Sequence, residues 1–83
     1  MKEQITVYYN KDKKNPHDYI VKRVLLQIGE NYSISSYYMI NGKIKEYPSK
    51  LKLSNEKVNY YLLQCMKAPY FDHIDYQSVM EGI

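Results

Sequence analysis

The stretch YSISSYYMINGKIKEY, residues 32–47, decides the fold of this chain. Two segments in which apolar and polar residues alternate flank the dipeptide Asn41-Gly42. This dipeptide is preferred in two-residue type I′ turns, because both central residues of such a turn adopt a positive φ. We therefore predict a β-hairpin whose register is set by the length of the turn. The predicted register pairs Ile40 with Lys43, Met39 with Ile44, Tyr38 with Lys45 and Tyr37 with Glu46.

Both faces of the predicted hairpin are mixed in polarity. One face carries Tyr32, Ile34, Tyr38, Ile40, Lys43, Lys45 and Tyr47, and the other carries Ser33, Ser35, Tyr37, Met39, Ile44 and Glu46. A hairpin that buries one face normally shows a clear apolar alternation. The mixture indicates either an outer surface with a function or a β-bulge that changes the register.

The segments before the hairpin predict two further strands. Residues 4–10 alternate between apolar and polar side chains, as in a half-buried strand. Residues 19–28 are rich in aliphatic and β-branched side chains, which predicts a long and largely buried strand. A polar loop over residues 11–18 joins the two strands and contains the turn signal Asn15-Pro16.

The segment after the hairpin predicts helices. Ser54 is a favourable N-cap for a helix over residues 55–67, which ends before Ala68-Pro69. The core stripe of this helix has helical spacing and consists of Val58, Tyr61, Leu62 and Cys65. A short C-terminal helix, capped by Asp72 or Asp75, would place on one side Tyr76, Val79, Met80 and Ile83. The predicted fold class is α+β: an antiparallel meander of three to five strands with the Asn41-Gly42 hairpin, one main helix and a short C-terminal helix.

Length and composition limit the class of protein. A chain of 83 residues fits one small domain, residues 1–83, with a single modest core. No apolar run approaches the roughly 20 residues that span a bilayer, and the first residues do not resemble a signal peptide. The lone cysteine, Cys65, has no partner for an internal disulfide. These features predict a cytoplasmic protein that has no contact with a membrane.

The sequence lacks the motifs of a catalytic, metal or cofactor site. His17-Asp18 resembles the dipeptide of metal phosphohydrolases, but the further His and Asp ligands of such sites are missing. The segment DHID at residues 72–75 offers three metal ligands in an open arrangement, whereas stable sites enclose the ion. We interpret His17 as a loop residue and His73 as an ordinary histidine between helix-capping acids. We therefore expect no enzyme activity and no cofactor.

Tyrosine is the most unusual part of the composition. The chain has 11 Tyr, one Phe and no Trp, and six of the tyrosines form the adjacent pairs Tyr8-Tyr9, Tyr37-Tyr38 and Tyr60-Tyr61. Neighbouring side chains on a strand point to opposite faces, so a strand pair directs one ring to each side. Codon bias in an A/T-rich genome explains part of the excess but does not explain why Phe is rare. Tyr9 and Tyr61 are predicted core residues, and which of Tyr37 and Tyr38 meets solvent remains open.

Charge is unevenly distributed along the chain. All 12 basic residues lie within residues 1–67, together with six acidic ones. The last 16 residues contain three acidic residues and no Lys or Arg. Such a division can produce opposed patches that steer a charged partner.

These observations favour a binding protein. We predict a non-catalytic module that binds a protein partner through a tyrosine-rich sheet surface, since tyrosine is enriched at interface hot spots. A small inhibitor or adaptor of phage or mobile-element type, for example a blocker of a host nuclease or defence complex, fits this compact, A/T-biased chain. The predicted contact residues are Tyr8, Tyr37, Tyr38, Met39, Lys43, Lys45, Tyr47 and Tyr60. A homodimer is a further alternative.

The alternative function is binding of single-stranded nucleic acid. In such proteins bases stack on aromatic rings while cationic side chains contact the phosphates. The same chemistry is present on one predicted hairpin face, which carries Tyr32, Tyr38, Tyr47, Lys43 and Lys45. The loop before the second strand would extend this basic surface with Lys11, Lys13 and Lys14.

Overall fold

The computed structural model describes residues 2–10 and 18–80. Within these residues there are six strands: β1 (Lys2–Tyr9), β2 (Asp18–Ile28), β3 (Asn31–Ile40), β4 (Lys43–Pro48), β5 (Leu53–Ser54) and β6 (Phe71–Val79). A 3₁₀ turn (Asn55–Lys57) leads directly into the helix α1 (Val58–Met66). Most of the predicted polar loop, with its three lysines and His17, lies outside the described residues. In the part of the chain that is described, no helix is long and apolar enough to cross a bilayer.

All strands join one antiparallel sheet. The order of the main strands is β4-β3-β2-β1-β6, and the short β5 pairs with the first residues of β3. Strands β1 to β4 that follow one another in the chain are neighbours in the sheet, which confirms the predicted meander. The predicted α+β class with one main helix is also confirmed. The described sheet has six strands, more than the three to five expected, because the segment that forms β6 was predicted as a helix.

The hairpin has the predicted register throughout. Tyr37 pairs with Glu46, and the ladder runs to Ile40 opposite Lys43 without a register shift. Asn41 and Gly42 have φ angles of 50° and 80°, as a type I′ turn requires. The mixed polarity of the two faces therefore does not come from a bulge within the hairpin.

The predicted short C-terminal helix is wrong. Its residues from Phe71 to Val79 form β6, which pairs with β1 along nearly its whole length, from Lys2 opposite Val79 to Tyr9 opposite Phe71. This pairing supplies hydrogen bonds to an edge of β1 that a helix would leave open. Hydrogen bonding to a strand distant in sequence thus overrides the helical spacing of Tyr76 and Val79. Ile83, the last residue of the predicted stripe, lies outside the described residues.

The core lies between α1 and one face of the sheet. Ile5, Val7 and Leu25 are fully buried there, and the buried side of α1 adds Val58, Leu62 and Cys65. Tyr9 is buried as predicted, whereas Tyr61 packs on the core while remaining half-buried. Burial of Cys65 confirms its interpretation as a core residue.

The start of the helix differs from the prediction in one detail. Ser54 precedes the 3₁₀ turn with an extended backbone, as an N-cap residue does, but its side chain makes no capping hydrogen bond. The helical segment therefore depends on packing of its apolar side, which is the usual source of stability for short helices.

Candidate binding surfaces

The face of the sheet opposite α1 is a candidate binding surface. Because side chains alternate along each strand, the register assigns to this open face Thr6, Tyr8, Lys22, Val24, Leu26, Ser33, Ser35, Tyr37, Met39, Ile44, Glu46, His73 and Asp75. Among the described residues, no helix packs on it. At its centre Thr6 is buried between Val24 and Asp75, so this part of the open face is not accessible to solvent.

Tyr8 lies on the open face against a neighbouring histidine. The residue pairs with His73 across β1 and β6, and the two rings stack with centroids 4.6 Å apart and an interplanar angle of 17°. The exposed His73 also places its Nδ1 3.1 Å from Oδ2 of Asp72. The Tyr8 ring is therefore held in a defined orientation before any partner binds.

Tyr37 is held on the open face by two charged neighbours. Its hydroxyl donates a hydrogen bond of 3.1 Å to Oε2 of Glu46, and Nζ of Lys22 lies 5.0 Å from the ring centroid, within the range of a cation–π contact. Burial, followed by the hydrogen bond and the negative charge of Glu46, raises the pKa of Tyr37 above its usual value. Met39 and the exposed Ile44, which pair directly, extend the apolar part of this surface.

The other predicted hairpin residues lie on the face that α1 covers, beyond the helix. Tyr38 and Tyr47 meet edge to face, with ring centroids 5.6 Å apart at 79°. Tyr38 packs on the core cluster, whereas Tyr47 is about half exposed. Lys43 and Lys45 are exposed on the same side. The structure thus divides the predicted site between two faces, with Tyr37 on one, Tyr38 on the other, and neither ring fully exposed.

Tyr60 lies on neither face of the sheet. It is 66% exposed on the outer side of α1, where Leu63, one helical turn away, is also exposed. Tyr60 is therefore accessible to a partner, but the structure does not bring it together with the other predicted contact residues.

The opposed charges of the sequence lie at opposite edges of the sheet. Strand β4, with Lys43 and Lys45, forms one edge, and β6, with Asp72 and Asp75, forms the other. Every residue of β4 is exposed. Part of the uneven charge distribution is therefore separated in space across the width of the sheet.

A pocket lies on the covered face, which is the face of the sheet that packs against α1. One of its lining residues, Arg23, was not among the predicted contact residues. Its Nη1 donates a hydrogen bond of 3.3 Å to the hydroxyl of Tyr61, and its guanidinium carbon lies 5.9 Å from the ring centroid of Tyr9. The Nε atom is buried and has no hydrogen-bond partner. The only signal in the sequence is that the single Arg, among 11 Lys, stands within a strand rich in aliphatic residues.

The phenols around Arg23 favour its charged form. Burial works against protonation of the guanidinium, but interactions with Tyr61 and Tyr9 and hydrogen bonding to Tyr38 and Tyr61 outweigh it and raise the pKa of Arg23. Arg23 is therefore a permanent positive charge beside the core. The pocket that it lines measures about 480 Å³, and the full lining is Arg23, Ile34, Ser36, Ser49, Leu51, Lys52, Leu53, Lys57 and Tyr61.

Comparison with known proteins identifies no relative from which a function can be transferred. No family model matches the chain, and neither a curated protein nor a solved structure matches it. Within residues 2–10 and 18–80, no group of three or more His, Cys, Asp or Glu side chains is arranged to hold a metal ion. The DHID segment lies in β6, so its acids are strand residues and do not cap a helix.

Proposed function

We propose that this protein is a non-catalytic module that binds another protein through the open face. The observation that supports this proposal is that two rings of the open face are ordered. The Tyr8 ring stacks on His73, and Tyr37 is held by Lys22 and Glu46. A ring that is already ordered loses little conformational entropy on binding, which favours affinity. Aromatic anchors surrounded by polar groups are typical of interface hot spots.

The charges of the open face favour a protein over a nucleic acid as the partner. Lys22 lies at its centre, but Glu46 and Asp75 bring carboxylates to the same surface. A phosphate backbone would be repelled by these carboxylates, whereas a protein surface of mixed charge can pair with both signs. We include in this proposal that the protein acts as a small inhibitor or adaptor of phage type, which the compact, A/T-biased chain supports.

A matched pair of variants tests the open face. Ile44→Glu introduces a charge on the open face, and Leu63→Glu introduces the same charge on α1; the two side chains are 52% and 56% exposed. Affinity capture from the source organism should recover a partner with the wild type and with Leu63→Glu but not with Ile44→Glu. Binding of the purified partner, measured by calorimetry and by amide shifts on the open face, must show the same pattern.

Two outcomes would contradict this proposal. Loss of the partner with Leu63→Glu and retention with Ile44→Glu would move the interface to the helix. A dimer in sedimentation experiments that Ile44→Glu dissociates would assign the open face to a second copy of the chain.

A second candidate function, binding of single-stranded nucleic acid, is favoured by the arrangement of Tyr47. This half-exposed ring lies at the edge strand beside Tyr38 and on the same side as Lys43 and Lys45. A labelled oligonucleotide should bind at low salt, lose affinity steeply as salt rises, and bind more weakly to Tyr47→Ala and Lys45→Ala. The absence of binding at low salt would exclude this function.

A further inference from the structure

The pocket beside Arg23 has the dimensions of a ligand site. It lies on the covered face, between β2 and β3 on one side and residues 49–57 on the other. Its volume of about 480 Å³ falls within the range of roughly 300–1,000 Å³ that is typical of small-molecule sites. Because the pocket lies on the opposite side of the sheet from the open face, a ligand can bind there independently of the proposed protein partner.

The charged residues of this pocket are all cationic. Arg23, Lys52 and Lys57 contribute to the wall, and none of the described lining residues is acidic. No described carboxylate forms an ion pair with Arg23, and its Nε is a buried donor without a partner. The three positive charges, without a described carboxylate to pair with Arg23, would attract an anionic group from outside the chain.

The uncharged part of the wall suits a ligand with both a polar and an apolar end. Ser49 Oγ accepts a hydrogen bond of 3.1 Å from the amide of Leu51, which leaves the Ser49 hydroxyl hydrogen for an oxygen of the ligand. Ser36 adds a second hydroxyl, and Ile34 and Leu53 provide apolar surface. A body with a flat or apolar face could pack there while its anionic end meets the cations.

We propose that this pocket binds a phosphate monoester carried on a nucleoside-sized body, that is, a mononucleotide. Three cationic groups match the double negative charge of a phosphate monoester better than the single charge of a carboxylate. The planar guanidinium of Arg23 provides geometrically specific hydrogen bonds to phosphate oxygens, and Lys52 and Lys57 act as point charges.

Amide shifts in NMR titrations test this proposal with three probes. A nucleoside 5′-monophosphate should shift the amides of Ser36, Ser49 and Leu51, and the same nucleoside without phosphate should not shift them. Inorganic phosphate should shift the same amides at a concentration at least about tenfold higher, because it lacks the apolar body. Equal affinity for inorganic phosphate and the nucleotide, or no shift of these amides at about 10 mM nucleotide, would overturn the proposal.

Charge-matched variants separate the pocket from general attraction of anions. The double variant Lys52→Gln/Lys57→Gln should weaken nucleotide binding by about tenfold or more, as expected for loss of charge-assisted hydrogen bonds. The control Lys2→Gln/Lys67→Gln removes the same charge from two lysines outside the pocket and should change affinity less than about threefold. An equal loss in both double variants would contradict a built site.

The arginine has its own test. Arg23→Lys keeps the positive charge but removes the planar set of guanidinium N–H donors. Nucleotide affinity should therefore fall by about tenfold, while the amide spectrum remains that of a folded protein. Unchanged affinity in a folded Arg23→Lys protein would exclude the assigned role of the guanidinium. If this variant does not fold, the lysine double variant still decides the proposal.

Discussion

The two faces of the sheet use alternate residues of the same strands but hold their tyrosines in different ways. On the covered face Tyr9 and Tyr32 are buried in the core. On the open face Tyr8 and Tyr37 lie against a histidine, a lysine and a carboxylate. The difference shows that tyrosines on the two faces of one sheet can contribute to stability on one face and to an ordered, accessible surface on the other.

The largest expected difference is between two adjacent leucines of β2. Leu25 is fully buried on the covered face, while Leu26 is half-buried on the open face. Leu25→Ala should lower the free energy of unfolding by about 2–5 kcal/mol through loss of burial and formation of a cavity, and Leu26→Ala by about 1 kcal/mol. Urea unfolding of both variants measures the difference; equal losses would show that the open face is covered by a further part of the chain.

A smaller effect is expected from alkaline pH, and it arises on the covered face. Burial, the hydrogen bond of 2.7 Å to Oε1 of Glu3 and the charge of that carboxylate raise the pKa of Tyr32 from 10.0 to about 12. The Tyr32 hydroxyl therefore keeps its proton in the folded state at a pH at which the same group is deprotonated in the unfolded state. This stabilisation is complete below pH 10 and is lost as the pH rises toward 12, with a loss on the order of 1 kcal/mol at pH 11.

Urea unfolding at pH 8 and pH 11 measures this loss. Tyr32→Phe should remove its share of the pH dependence, and Glu3→Gln should reduce that share because the acceptor remains while the charge is gone. Burial also raises the pKa of Tyr9 and Tyr61, so some alkaline destabilisation should persist in Tyr32→Phe. A stability of the wild type that does not change between the two pH values would contradict burial of these phenols in the neutral form.

Local signals account for the parts of the fold that could be predicted from the sequence. Asn41-Gly42 determines a turn within four residues, so the register from Tyr37 to Ile40 follows directly. The helix could be predicted for the same reason, because its apolar stripe lies within three turns. Strand β6 could not, since its extended state depends on hydrogen bonds to β1, which is about 70 residues distant in the chain.

The candidate sites follow the same rule. The division of Tyr37 and Tyr38 between two faces is a local consequence of strand alternation and was predictable. The pocket around Arg23 was not, because it forms only when residues 49–57 lie against β2 and β3. Spacing along the chain contains no information about that contact.

A substitution in the hairpin turn should destabilise the residues of β4 on both faces equally. Gly42 has φ of 80°, and a Cβ added there would meet no atom within 4 Å. Gly42→Ala should therefore cost about 1 kcal/mol from backbone conformation alone and should loosen β4 as a whole. Hydrogen exchange should accelerate for amides of β4 on both faces; acceleration confined to one face would show that one set of side-chain contacts holds the strand without the turn.

The smallest effect is expected from the contact that fixes Tyr37. Its hydroxyl and Glu46 are exposed, so a double-mutant cycle of Tyr37→Phe and Glu46→Gln should give a coupling of about 0.5 kcal/mol or less in unfolding. Either single variant should reduce the favourable free energy of partner binding by more than it lowers the free energy of unfolding. The reason is that each variant removes a contact that orients the Tyr37 ring for the partner. A stability coupling above 1 kcal/mol together with unchanged partner affinity would assign this pair to the fold, and would leave Tyr8 as the candidate aromatic anchor for a partner.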